Sequence, residues 1–313
     1  MIVDVSTRIW NAIDDLGEAV ASAARRRIEG PWDPLTAGFE RHEEAIAPVS
    51  AAVVLGLHCE QLGAHIPDAA VAAQVQRDPA RLIGFAGVDV AALDDAGGGP
   101  RAARQRVEDA KGLGLSGVTV SPAGAGFHPT STAAMSLFEA CADACVPVYV
   151  ETGALLAREA QMEFSQPYLL DEVARQLPTL KLVIGGLGGP WLDQTLAMLG
   201  KHPSVFSDVT GFATRPWQLY NALLSAHQAG VMSQLLFGSG FPFSTPEQAI
   251  IALYSVNSQS QGTPLPGIPR EALRGIVERD ALACLGLPRL KPAEAEDPKS
   301  SSGFERVVLE NSS

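Results

Sequence analysis

Short runs of apolar, mostly β-branched residues recur at Ile2 to Val5, Ala52 to Leu57, Leu82 to Val90, Val118 to Val120, Val146 to Val150, Leu182 to Ile184, Val205 to Val209 and Leu235 to Phe237. Between these runs the apolar residues take up helical spacing. Met135, Phe138, Cys141 and Cys145, for example, follow a capping residue at Thr130 or Ser131 and are expected on one helix face. The strand-like runs are continuously apolar, which implies burial on both faces and therefore a parallel sheet. Eight β/α repeats fit a closed (β/α)8 TIM barrel of the α/β class better than an open doubly wound sheet.

The pattern stops after Leu287. The barrel is expected to occupy residues 1–287, and residues 288–313, low in large apolar side chains apart from Phe304 and Val307 to Leu309, read as a disordered C-terminal tail. The stretch Gly30 to Pro48, carrying Pro31, Trp32 and Pro34, is longer than one crossover needs and is expected to lie over one barrel end.

Composition narrows the functional classes. With 46% hydrophobic and 19% charged residues in 313, the chain can bury a large core. Its 23 basic and 35 acidic residues, net charge -12, argue against nucleic acid and against anionic membrane surfaces as partners. Cys59, Cys141, Cys145 and Cys284 lack paired metal spacing and read as reduced thiols. The first residues show no basic-then-apolar leader, and no apolar run is long enough to span a bilayer, so a cytoplasmic protein is expected.

In a barrel the chemistry sits at the carboxyl ends of the strands. Read there, VDVSTR, GVTVSP, PVYVETG, LKLVIGGLGGPW, HPSVFSDVTG, LLFGSGFPF and VERDALACLGL resemble, in order and spacing, the amidohydrolase-related (amidohydrolase 2) family of metal-dependent hydrolases and decarboxylases, over about residues 1 to 287. The resemblance implies an amidohydrolase-like barrel. It departs from the family at the metal positions. The family's opening Asp-x-His-x-His keeps Asp4, but Ser6 and Arg8 replace the imidazoles. The His of Pro-Val-x-x-His-x-Gly is Glu151, the His of His-x-Gly-Gly is Gly186, and the Asp of Gly-Ser-Asp-x-Pro is Gly240. Thr119 stands where relatives often carry Lys, and Asp280 where an Asn commonly precedes the final helix. A mononuclear zinc needs three or four N or O ligands, so no metal ligand and no cofactor is assigned.

Two functional readings remain. In the first the barrel is a non-catalytic pseudoenzyme, a small-ligand-binding or structural partner subunit, with a homodimer among the options. In the second it is a metal-independent hydrolase or lyase acting on a small carboxylated or cyclic substrate through Glu151 and Asp208. Outside that second reading Asp208 is expected to accept backbone hydrogen bonds in its own loop. Arg8 and Glu151 should both point into the volume that the cation fills in relatives; either they pair, or Arg8 extends to solvent and Glu151 lines a wet mouth. The volume freed at Gly186 and Gly240 is expected to be plugged by Arg8 with Trp10 or Phe241, the alternative being a pocket lined by Glu151 and glycine amides. Trp10, Trp32, Trp191 and Trp217 could wall a pocket or pack in the core. The run GGLGGP at 185–190 could offer amides to an anion. His58 and His128 follow strand-like runs but have no spaced partners, and Ser239 lacks the Gly-x-Ser-x-Gly elbow of a serine hydrolase.

Overall fold

All eight apolar runs form strands. The computed structural model describes residues 1–10, 13–25, 37–95, 99–151 and 157–289, and in chain order the strands are β1 (Val3–Thr7), β2 (Ala51–Leu55), β3 (Leu57–Cys59), β4 (Ala64–Ile66), β5 (Leu82–Val88), β6 (Gly117–Val120), β7 (Val148–Val150), β8 (Leu182–Ile184), β9 (Val205–Asp208) and β10 (Leu235–Leu236). Eight of them form one parallel sheet in the order β1-β2-β5-β6-β7-β8-β9-β10. Backbone bonds bring the last strand back to the first: Val5 N–H donates to Phe237 O at 2.9 Å, Gly240 N–H to Ser6 O at 2.9 Å and Arg8 N–H to Phe241 O at 3.0 Å. With helices between the strands, this is a (β/α)8 TIM barrel.

Alternation along each strand explains the continuous hydrophobic runs. Val3, Val5, Val53, Leu55, Ile83, Phe85, Tyr149, Val183, Phe206 and Leu236 fill the barrel interior, together with Leu282, Leu285 and Leu287 from the C-terminal helix segment. Their strand neighbours Val54, Val118, Val120, Val148, Val150, Leu182, Ile184 and Val205 belong to a second apolar cluster shared with the helices. Both faces are dry, so a period-2 signal never appears in the sequence.

The pairing of β1 with β2 is irregular between Asp4 and Thr7. Val5 packs in the interior, yet the next residue, Ser6, also reaches the interior Tyr149. Such an irregularity places consecutive side chains on one side and re-aims the strand end.

Two expectations need correction. The run Ala52 to Leu57 is two strands, broken at Gly56, where a Cβ would collide with the backbone of Phe85 and Gly87. Leu57 begins an antiparallel hairpin, β3 with β4, that has no counterpart in the periodicity. The helix Thr132–Asp143 is capped by Ser131, whose Oγ accepts from Ala134 N–H at 3.3 Å, but Cys145 lies beyond its end at φ 55° and is exposed. Trp32 and most of the proposed tail fall outside the described residues; Phe39–Ala45, from the long first crossover, is helical. Among the described residues no helix is long and apolar enough to cross a membrane, and the four cysteines are unpaired.

Candidate functional site

The carboxyl end of β7 sets two side chains on the interior face, Tyr149 and, two residues on, Glu151, whose N–H continues the ladder to Val120 O at 2.9 Å. Opposite, the re-aimed end of β1 carries Arg8. Its Nη2 lies 2.6 Å from Glu151 Oε2, and the two residues are only 8% and 4% exposed. The guanidinium is therefore turned to Glu151 and not to solvent. Burial pushes the Glu151 carboxyl up, while the Arg8 charge pulls it back.

Beside this pair lies a second network. Asp208, at the end of β9, accepts through Oδ1 from Gly186 N–H at 2.9 Å and Thr210 N–H at 2.8 Å, and through Oδ2 from Tyr149 OH at 2.7 Å. The Tyr149 proton is committed to Asp208, so Ser6 Oγ, 3.2 Å away, donates to the phenol oxygen. Burial raises Asp208 against these hydrogen bonds, and burial with the charge of Asp208 raises Tyr149 well above the usual phenol range. Asp208 is thus fully engaged, and Glu151 is neutralised by its cation. Tyr149→Phe removes one of three donors to a buried carboxylate and should cost about 1–3 kcal/mol in urea unfolding.

The two glycines at the family's ligand positions, Gly186 and Gly240, converge with Gly238 on one residue that sequence reading overlooked, Thr210. A Cβ built on Gly238 would lie 2.5 Å from Thr210 Oγ1, one on Gly240 2.6 Å from Thr210 Cγ2, and one on Gly186 3.0 Å from Thr210 O. Thr210 fills the space beside these three glycines. Of the residues expected to plug the mouth with Arg8, Trp10 lies towards Phe243, with ring centroids 6.1 Å apart, and Phe241 stands edge-on to His42 at 5.2 Å. Thr210 could have been noticed as the residue two places after the strand-end Asp208, in SDVTG.

Asp4 ties β1 to the loop after β10. Its Oδ1 accepts from Ser6 N–H at 3.1 Å and Ser239 N–H at 2.9 Å, and burial, reinforced by Asp208, pushes its carboxyl up to about 7 against those bonds. His42 is fully buried and bonds Thr7 Oγ1 at 3.0 Å. Thr7 donates its own proton to Val53 O at 2.7 Å, so the imidazole proton is assigned to Nε2. Burial and the Arg81 charge push His42 down to about 4.

These two groups tilt stability in opposite directions. The folded pKa of His42 lies below its ordinary 6.5, so its contribution is present above 6.5 and is lost as pH falls through about 4. The folded pKa of Asp4 lies above its ordinary 3.8, so its contribution is present below 3.8 and is lost as pH rises through about 7. In urea unfolding across this range, the stability of wild type relative to His42→Gln should grow with pH, by up to about 3 kcal/mol. An unchanged difference would contradict a neutral buried imidazole.

The remaining candidates are dispersed. Trp191 Nε1 donates to Ser165 Oγ at 3.0 Å, and Trp217 is exposed on the helix Pro216–Gln228. His128 is exposed and accepts from Thr130 N–H at 3.2 Å. Of the GGLGGP amides, Gly186 N–H serves Asp208 and Gly189 N–H serves Gly186 O, and the helix begins only at Leu192. Asp280 caps the helix Ala281–Leu285 through Ala283 N–H at 3.0 Å. Thr119 Oγ1 and Arg8 Nε are buried without a hydrogen-bond partner. Among the described residues, no group of three or more His, Cys, Asp or Glu is arranged to hold a metal ion.

The chain matches the amidohydrolase family over residues 3–279. No curated protein matches it. Among solved structures it is similar to an uncharacterised TIM-barrel protein from Bordetella bronchiseptica, with 20% identity, 91% of this chain and 99% of that one covered, and a TM-score of 0.69. It is also similar to a probable 2-pyrone-4,6-dicarboxylic acid hydrolase from Acinetobacter baumannii with citric acid bound (16% identity, 91% and 99% covered, TM-score 0.60). A third is 5-carboxyvanillate decarboxylase from Novosphingobium aromaticivorans, complexed with manganese and 4-hydroxy-3-methoxy-5-nitrobenzoic acid (12% identity, 92% and 96% covered, TM-score 0.63). At these identities the likeness carries the barrel fold.

Proposed function

We propose that this chain, which belongs to the amidohydrolase family, is a non-catalytic member in which a fixed Arg8–Glu151 ion pair stands where relatives hold a divalent metal ion. The barrel then serves as a structural partner subunit and not as a hydrolase or decarboxylase. The observation that carries this reading is the 2.6 Å contact between two side chains withdrawn from solvent.

The donor set supports it. A divalent ion needs several oxygen or nitrogen lone pairs directed at one point. Arg8 is a donor only, Gly186 and Gly240 offer no side chain, and Glu151 already faces a cation. Asp208 spends its oxygens on Gly186, Thr210 and Tyr149. The residues present do not fit the family's ion, and no reaction step is routed through one.

The test is an activity panel. Chelator-stripped protein, reloaded with manganese or zinc, is assayed against carboxylated aromatic acids and cyclic esters. No turnover is expected. Metal-dependent turnover would overturn the reading, and metal-independent turnover that Glu151→Asp abolishes would establish the enzyme reading in its place.

A further inference from the structure

Residues 216–269 contain a single Asp, Glu, Lys or Arg, which is Glu247, in a chain of which 19% is charged and whose net charge is -12. The stretch builds one side of the barrel exterior through the helix Pro216–Gln228, after β9, and the helix Pro246–Ser255, after β10, which runs on into the short helix Val256–Ser260. That short helix packs on Pro216–Gln228. The segment 257–268 is held as a closed loop, because the Asn257 side chain donates through Nδ2 to Ile268 O and accepts through Oδ1 from Ile268 N–H, both at 2.8 Å. Tyr220 OH ties this loop to the first helix by donating to Pro266 O at 2.7 Å.

This side is apolar as well as uncharged. Eight large apolar side chains are exposed among the described residues, and four of them, Trp217, Ile251, Tyr254 and Leu265, lie here. Trp217, 53% exposed, stacks on Tyr220 with ring centroids 5.8 Å apart, and Tyr220 in turn holds the loop that carries Leu265. Ile251, 59% exposed, and Tyr254 stand one turn apart on the second helix. Charge returns at the margin, at Arg215, at Arg270 and in the Arg274–Glu278 ion pair, whose charges act on Tyr254. An aromatic and aliphatic centre with a charged margin is the anatomy of a protein–protein interface.

The charge pattern selects the partner. Across a two-fold axis a patch meets itself, so every charged side chain near the axis would face its own copy. Two chains of net charge -12 also repel as wholes, and they approach with least repulsion where neither presents charge. A partner of opposite charge would be drawn to the acidic remainder of the surface instead. We propose that a second copy of this chain docks on this side of the barrel, making a two-fold homodimer with Trp217, Ile251, Tyr254 and Leu265 at its centre. The dimer goes beyond the reading of Arg8 and Glu151 and does not depend on it.

The experiment is sedimentation equilibrium of the full chain across the micromolar range, at low and at high salt. A dimer is expected, and added salt should tighten it, because screening weakens the repulsion between two acidic chains without touching an uncharged contact. Trp217→Ala and, independently, Ile251→Glu, both at exposed positions where the fold is expected to tolerate them, should each weaken dimerisation by about tenfold or more with the far-UV circular dichroism unchanged. Tyr168→Glu, at a similarly exposed aromatic outside this stretch, should leave the dimer intact. A wild type that stays monomeric overturns the proposal and leaves the face to the chain's own C-terminal segment around Phe304 or to a different protein. A dimer that salt dissociates, that both Trp217→Ala and Ile251→Glu leave intact, or that Tyr168→Glu alone breaks overturns it too. None of these outcomes concerns turnover, so the dimer and the non-catalytic reading fail separately.

Discussion

Replacing Glu151 by Gln should destabilise the folded chain by about 3–5 kcal/mol, because it leaves the Arg8 guanidinium buried without a counterion. The amide keeps the size of the side chain and one acceptor, so the loss reports charge and not volume. Arg8→Met should cost a similar amount, stranding a carboxylate that burial already disfavours. The double variant Arg8→Met/Glu151→Leu removes both charges together, and an apolar pair of similar volume is often as stable as the ion pair it replaces. It should therefore be more stable than either single variant. Urea unfolding of the four proteins forms a double-mutant cycle. Additive losses would show that the pair is not coupled and would remove the basis for treating it as a fixed internal cation.

The second large effect concerns the packing around Thr210. Gly240 has φ 74°, a left-handed backbone that a side chain adopts at a cost of roughly 1–2 kcal/mol. A Cβ there would also press on Thr210 Cγ2, and overpacking of this kind costs about 1–3 kcal/mol more. Gly240→Ala should thus lose roughly 2–5 kcal/mol. Thr210→Ser deletes the Cγ2 methyl and should return the packing share while leaving the backbone strain. It should not rescue Gly238→Ala, whose Cβ would meet Thr210 Oγ1 instead; Thr210→Ala should relieve that contact. Equal rescue of both glycine variants by Thr210→Ser would show that Thr210 is not wedged as described. Putting back the family's acid, Gly240→Asp, should be at least as damaging as Gly240→Ala and should not by itself create an ion site.

The residues at which the sequence departs from its family could be read without coordinates, since Ser6, Arg8, Glu151, Gly186 and Gly240 stand in recognisable motifs. Their consequences could not. Tyr149 was hidden because VYV reads as an ordinary buried strand, and only the inward parity it shares with Glu151 marks it. His58 looked isolated because His65, opposite it across the β3–β4 hairpin, lies seven residues away in the chain, and hairpin register is not a periodic signal. His42 reads as one more polar residue of FERHEEA, yet it is buried against Thr7.

Local pattern by itself determined the eight strands, their parallel arrangement and the barrel, because two-sided burial and helical spacing are short-range properties that survive in a one-dimensional string. The resemblance to the family's motifs, and not the periodicity, indicated which of the family's side chains are replaced at the mouth. Tertiary structure alone decided how the remaining ones meet. The irregularity in β1 turns Ser6 and Arg8 inward, the barrel's closure carries Glu151 to within 2.6 Å of that guanidinium, and Thr210 fills the space beside three glycines. Those outcomes depend on register, on the end-to-end return of a closed sheet, and on the volume left between residues far apart in the chain.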